Sequence, residues 1–96
     1  MLLSPIMRMN IDLKKIRHVV EVAHSESITT ASHTLAISQP ALTRSIADVE
    51  KQLGVQLFLR MRRGMRLTEA GQVFVDHAQR VIKSVDDLFI NTEDYL

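Results

Sequence analysis

Apolar residues recur along this chain at helical spacing in four separate runs, and each run is preceded by a residue able to cap a helix. Leu13, Ile16, Val19, Val20 and Ala23 fall three and four apart, the spacing of one buried stripe, and Asp12 stands in front to accept from the first unpaired amides. A first helix over about 12–24 is predicted. Ser27 heads a shorter run through Leu35, with Ile28, Ala31 and Leu35 on the buried side; Ala31 and Ser32 are small enough to let another helix approach. A tight connection, 36–38, leads to a third helix. There Ser38 is the N-cap and Pro40 sits in the first turn, where its missing N–H is no loss. Leu42, Ile46, Val49 and Leu53 form the stripe, and Gly54 supplies the stop.

After Gly54 the period changes. Leu57, Phe58 and Leu59 run into a turn at Arg63 and Gly64, and Met65, Arg66 and Leu67 return from it, which predicts a short β-hairpin. Thr68 then caps a last helix with Glu69 in its first turn, where the helix dipole favours a negative charge. In heptad letters, a holds Gly71, Ala78, Val85 and Thr92, d holds Phe74, Val81, Leu88 and Tyr95, and e holds Val75, Ile82, Phe89 and Leu96. At 1.5 Å per residue a helix over 69–96 is roughly 42 Å long, more than a three-helix head can cover. Its N-terminal part, Phe74 and Val75, is expected on the head's own first helix. The rest calls for a partner, with Ala78, Val81, Ile82, Val85, Leu88 and Phe89 as the candidate dimer interface.

Composition narrows the function. Ninety-six residues make one ordinary domain, or a smaller one with an appendage, too little for a large buried catalytic cleft. The absence of cysteine excludes disulfides, thiolate zinc sites and thiol nucleophiles. His18, His24, His33 and His77 lack ligand spacing and clustered carboxylates, so no metal site is expected. The serines have no base and orienting acid at readable positions, and no cofactor loop is visible, so neither catalysis nor a cofactor is expected. The methionines are assigned to packing. "MLLSPIMRMN" lacks a basic region followed by a long apolar one, so no signal peptide is expected; residues 1–9 are expected to be a disordered lead, with Met7 and Met9 as alternative starts. No apolar run is long enough to span a bilayer, and a cytoplasmic location is expected.

The net charge of +1 conceals a strong asymmetry. Residues 1–26 carry four basic and three acidic side chains; residues 27–67 carry six basic against two acidic; residues 68–96 carry two against six. A basic middle points to a polyanion-binding face. Within it, no acid occurs between Ser27 and Ala47, and the exposed side of the third helix shows Gln39, Pro40, Thr43, Arg44, Ala47 and Lys51. Such a donor-rich surface suits phosphates and base edges, and an acid-free helix N-terminus offers its amides to an anion. Arg60, Arg62, Arg63 and Arg66 all lie on the hairpin, where four guanidinium groups repel one another unless an anion is near.

The stretch "SITTASHTLAISQPALTRSIADVEKQLGVQLFLRMRRGMRLTEAG", residues 27–71, closely resembles the N-terminal DNA-binding domain of LysR-type transcriptional regulators. "SQPALTR", "VEKQLG" and "RLTEAG" in that order carry the resemblance, which extends over about residues 9–92. Departures are Val19 and Ile28, where the family usually has Phe, Ser32 for a second Ala, and Thr43, which keeps the hydroxyl of the usual Ser. The resemblance implies a mainly α fold: a winged helix-turn-helix of three helices and a short β-hairpin over 10–67, followed by a linker helix over 68–96. It implies a homodimer through that helix, paired antiparallel, on an interrupted palindrome of double-stranded DNA. A small-molecule effector would then act through a C-terminal domain that is not in this sequence, and the full-length protein would form tetramers. Gln39, Pro40, Thr43 and Arg44 are then expected at bases in the major groove, Arg62 and Arg63 at the minor groove, and Thr30, Ser38, Arg60 and Arg66 at phosphates. The alternative is a winged helix that binds protein. It calls for an apolar exposed face on the third helix, which Gln39, Thr43, Arg44 and Lys51 argue against.

Overall fold

The computed structural model describes residues 12–95. The order of elements is α1 (Leu13–Ser25), α2 (Ile28–Leu35), α3 (Gln39–Leu53), β1 (Phe58–Arg60), β2 (Met65–Leu67) and α4 (Glu69–Glu93). The expected lead over 1–9 and the last residue, Leu96, lie outside the described residues.

All four helices start on the side chains expected of them. Asp12 Oδ1 accepts from the Lys15 amide (2.9 Å), Ser27 Oγ from Thr30 (3.1 Å), Ser38 Oγ from Ala41 (3.2 Å) and Thr68 Oγ1 from Gly71 (2.9 Å). Each oxygen satisfies an amide the helix cannot pair internally. α3 ends at Gly54 with φ 72°, but α1 and α2 end on Glu26 and Ala36, both at φ 55°, where glycine is the usual choice. α4 stops at Glu93, three residues short of expectation. Its last turn has no base, and Glu93 and Asp94 put negative charge at the negative end of the dipole.

The core is built from α1, α3 and the start of α4 around Val19, Val22, Leu42, Val49, Leu57 and Val75, with Ala31 closing it from α2. Two residues depart from the expected α1 stripe. Val22 is fully buried although it is not among the positions expected in that stripe, and Leu13, expected inside, is 45% exposed. The cause is that α1 contacts α2, α3, β2 and α4 together, so its buried face is wider than one stripe and begins a turn after the cap. Ile28, Leu35 and Leu53 are only half-buried at the edge of this core.

Backbone contacts fix the hairpin to the helices. β1 and β2 pair antiparallel, with Phe58 opposite Leu67, Leu59 opposite Arg66 and Arg60 opposite Met65. The Met65 amide donates to the Glu26 carbonyl at the α1–α2 corner (2.9 Å), and Gly64, at φ 91°, lies so close that any Cβ there would collide with that oxygen. At the other end the Glu50 carboxylate accepts from the amides of Leu57 (2.7 Å) and Phe58 (3.3 Å), pinning the chain as it leaves α3. The Thr68 amide donates to the Leu57 carbonyl (2.9 Å), and Gly71 packs on that same carbonyl with no room for a side chain. α4 therefore leaves the head in a fixed direction. Its first turns are covered by the head, and Ala78, expected at a dimer interface, is buried there at 5% exposure.

Candidate nucleic-acid interface

α3 and the wing face each other across an open groove of roughly 1110 Å³. Gln39, Pro40, Thr43 and Arg44 line one wall, Arg60, Met61 and Arg62 the other, and Ser27, Ile28 and Thr29 from the start of α2 close one end. The first turn of α3 carries no acid, and neither does any other residue lining the groove. Among the described residues the ion pairs are Lys15 with Asp48 (3.5 Å) and Lys83 with Asp87 (2.9 Å); none of the arginines of α3 or the wing takes part in one. Arg44, Arg60 and Arg62 are thus exposed in the groove and Arg63 at the wing tip beside it.

The four residues expected at bases therefore share one wall, and two of the wing arginines join them. The other expected residues are placed differently. Thr30 and Ser38 are exposed in the first turn of α2 and at the cap of α3, just outside the groove, while Arg63 is exposed at the wing tip. Arg66 is not brought to the groove at all. Paired with Leu59, it has opposite strand parity to Arg60, so it points to the outer face of the ribbon near Glu26 and Gln72. Other lining residues escaped the sequence reading. Ser27 and Thr29 add hydroxyls at the α2 end, and Met61, assigned to packing, is 45% exposed between two arginines. Met61 lies just past the end of β1, where the chain turns, so the strand period does not place it.

Below α3 lies a buried polar pair. His18 of α1 and Ser45 of α3 are each 7% exposed, and His18 Nδ1 and Ser45 Oγ share a hydrogen bond of 2.7 Å. The imidazole is held below its ordinary pKa, first by burial and next by the Lys14 charge; Arg17 adds to this and Asp12 opposes it.

The family model described as "Bacterial regulatory helix-turn-helix protein, lysR family" matches residues 13–72, which includes every element from α1 to the first turn of α4. The chain belongs to the LysR family. Among its LysR relatives, the HTH-type transcriptional regulator TfdT of Cupriavidus pinatubonensis is 39% identical over 74 residues, 77% of this chain and 32% of TfdT. ClcR of Pseudomonas putida is 41% identical over 71 residues, 74% of this chain and 24% of ClcR. The chain thus spans about a third or less of these relatives. A crystal structure of the BenM DBD with catB site 1 DNA superposes with a TM-score of 0.86 at 33% identity, over 88% of this chain and 96% of that one. Full-length CbnR complexed with its target DNA gives 0.80 at 29% identity, over 86% of this chain and 29% of CbnR.

The second surface of this LysR head is apolar. A groove of about 400 Å³ runs between α1, the end of α3 and α4, with Ile16, Leu53, Phe74, His77, Ala78 and Val81 among its lining. Beyond it the α4 stripe continues uncovered. Val81 is 42% exposed, Leu88 62% and Phe89 65%, while Ile82 and Val85 are half-buried. Ile90, off that stripe, is 60% exposed.

Proposed function

We propose that this chain is the DNA-binding part of a bacterial transcriptional regulator and binds double-stranded DNA with the α3–wing groove. The observation that carries the reading is the groove itself: acid-free, with Arg44, Arg60 and Arg62 on facing walls, none of them in an ion pair among the described residues, and hydrogen-bonding side chains between them. Polyanion binding needs the charge, and sequence reading needs side chains that reach base edges. α3 enters the major groove by its N-terminal half, with Gln39, Thr43 and Arg44 at base edges and Pro40 against a thymine methyl or a sugar. Arg62 and Arg63 occupy the adjacent minor groove, where a narrow A·T tract attracts a guanidinium. Thr30, Ser38 and Arg60 hold phosphates; Arg66, on the outer face of the ribbon, adds only to the field. The apolar stripe of α4 pairs with a second copy, which sets two half-sites of an interrupted palindrome on one face of the duplex. Tetramer formation and effector response belong to segments of the kind the longer relatives possess. The site of action is the cytoplasm.

A fluorescence anisotropy titration of labelled duplex DNA across a salt series tests the reading. Affinity should fall log-linearly with salt, and Arg60→Ala should make the slope shallower by about 0.9, one phosphate contact. A flat salt dependence, or an unchanged slope in Arg60→Ala, refutes it.

A further inference from the structure

The groove requires α3 to be held at one rotation about its own axis, and most of what holds it is non-directional. Leu42, Ile46 and Val49 pack on Val19 and Val22 of α1, and apolar contacts of this kind tolerate small rotations and slides. At a side-chain radius of ~5–6 Å, a rotation of ~10° moves the tip of a groove residue by about 1 Å. Base-edge hydrogen bonding needs placement within about 0.5 Å. Something directional is therefore needed between α1 and α3.

Among the described residues, two side-chain contacts of that kind cross this seam. The Lys15–Asp48 pair is 3.5 Å long and its Asp48 side chain is 56% exposed, so water and salt weaken it and leave its geometry loose. The other is the 2.7 Å bond between His18 Nδ1 and Ser45 Oγ, shielded from water on both sides. Ser45 follows Arg44 directly and lies two residues from Thr43, so on a rigid helix its angular position fixes theirs. An apolar pair of the same volume would stabilise the head at least as well; a buried hydrogen bond adds direction.

We infer that the buried His18–Ser45 hydrogen bond sets the rotation of α3 on α1, making both residues positioning residues for sequence discrimination although neither faces the groove. The inference rests on the DNA-binding reading above. Burial keeps the imidazole neutral near pH 7, so the pair forms without placing a charge in the core.

The test uses the whole 96-residue chain. Duplexes enriched by the wild type from a randomised pool serve as the specific probe and poly(dI-dC) as the non-specific one, each titrated at a temperature where circular dichroism shows the variant folded. Ser45→Ala and His18→Phe should each lower the ratio of specific to non-specific affinity by roughly tenfold, about the worth of one base contact. The double variant should lose no more than either single one. Ser45→Thr, which keeps the hydroxyl, should retain discrimination. Affinity for poly(dI-dC) and its salt slope should not change. Variants with a lower thermal midpoint but an intact ratio would overturn the inference, since the bond would then serve stability alone. Equal loss on both probes would overturn it too. Failure of the wild type to enrich any sequence or bind poly(dI-dC) would instead remove the DNA-binding reading, and this inference with it.

Discussion

Replacing Glu50 by alanine removes a carboxylate that, among the described residues, forms no ion pair but on which the wing depends. Its Oε2 accepts from the amides of Leu57 and Phe58 at 2.7 and 3.3 Å, and those two residues are 1% and 5% exposed. Without the acceptor both amides are stranded beside the core, where water reaches them poorly. A hydrogen bond to a charged group contributes about 1.5–3 kcal/mol, and the longer of the two belongs at or below the low end, so Glu50→Ala should cost roughly 2–4 kcal/mol. That is a large share of the ~5–15 kcal/mol that holds such a domain together. At about 4–8 °C per kcal/mol for a chain of this size, the thermal midpoint should fall by roughly 10–30 °C. Urea denaturation followed by far-ultraviolet circular dichroism, at one fixed protein concentration so that self-association is held constant, measures the difference. Glu50→Gln keeps an acceptor oxygen without the charge and should lose about half as much. A cost for Glu50→Ala under about 0.5 kcal/mol, the range of an ordinary surface substitution, would refute the assigned role.

Arg44→Ala should cost about 1–3 kcal/mol on selected DNA and relax preference at one base pair; equal weakening on random DNA, seen by anisotropy, would exclude a base contact. Gly64→Ala forces a side chain to φ 91° and into the Glu26 carbonyl, so it should destabilise by ~1–3 kcal/mol in urea denaturation and weaken DNA binding as the wing lifts from the α1–α2 corner. Changing Val81 and Leu88 together to Asp should give a folded monomer by analytical ultracentrifugation; a double variant still dimeric would move the interface elsewhere on the chain. His18 has its folded pKa depressed, so its contribution to stability is complete above the ordinary value of 6.5. As the pH falls below that value the unfolded chain takes up a proton that the buried imidazole resists, and stability declines until the folded pKa is passed. Denaturation midpoints between pH 7.5 and 5, compared with those of His18→Phe, should show this extra decline in the wild type only.

Local chemistry made most of the fold legible. Asp12, Ser27, Ser38 and Thr68 can be found as caps from sequence because a cap depends on residues three apart, and all four accept the amides expected of them. Stripes on α3 were equally plain, since that helix buries one face. Failures occurred where a residue's fate depends on elements distant in sequence. Val22 is not among the positions expected in the stripe until α4 and β2 close on α1 from the side. Glu50 looks like a surface acid until the chain folds back seven residues later. His18 and Ser45 are 27 positions apart, and nothing local marks them as partners. The groove residues Gln39, Thr43, Arg44 and Arg60 were legible for the converse reason: an exposed face carries its chemistry in its own composition. Arg66 needed one more fact, the register of the hairpin, because a shift of one residue turns a strand side chain to the other face.

The heptad pattern of α4 shows the same division within a single helix. Its spacing is continuous, yet its two halves meet different surroundings. Gly71, Val75 and Ala78 are covered by the head, and Gly71 is admitted only because it has no side chain to strike the Leu57 carbonyl. Leu88 and Phe89, at the d and e positions of the same stripe beyond the reach of the head, are 62% and 65% exposed. Periodicity reports which side of a helix wants cover and says nothing about which chain supplies it: Ala78, expected at a dimer interface, is 5% exposed against its own head and lines the edge of the open apolar groove. The length of α4 makes the distinction physical. Twenty-five residues extend roughly 37 Å, and a head anchored to the first ten leaves some 20 Å of apolar stripe beyond it. Burying Val81, Leu88 and Phe89, at ~1.5–3 kcal/mol for each full side chain, would add a few kcal/mol even after discounting what is already covered. That is comparable with the head's own margin of stability, which ties the folding of this helix to self-association.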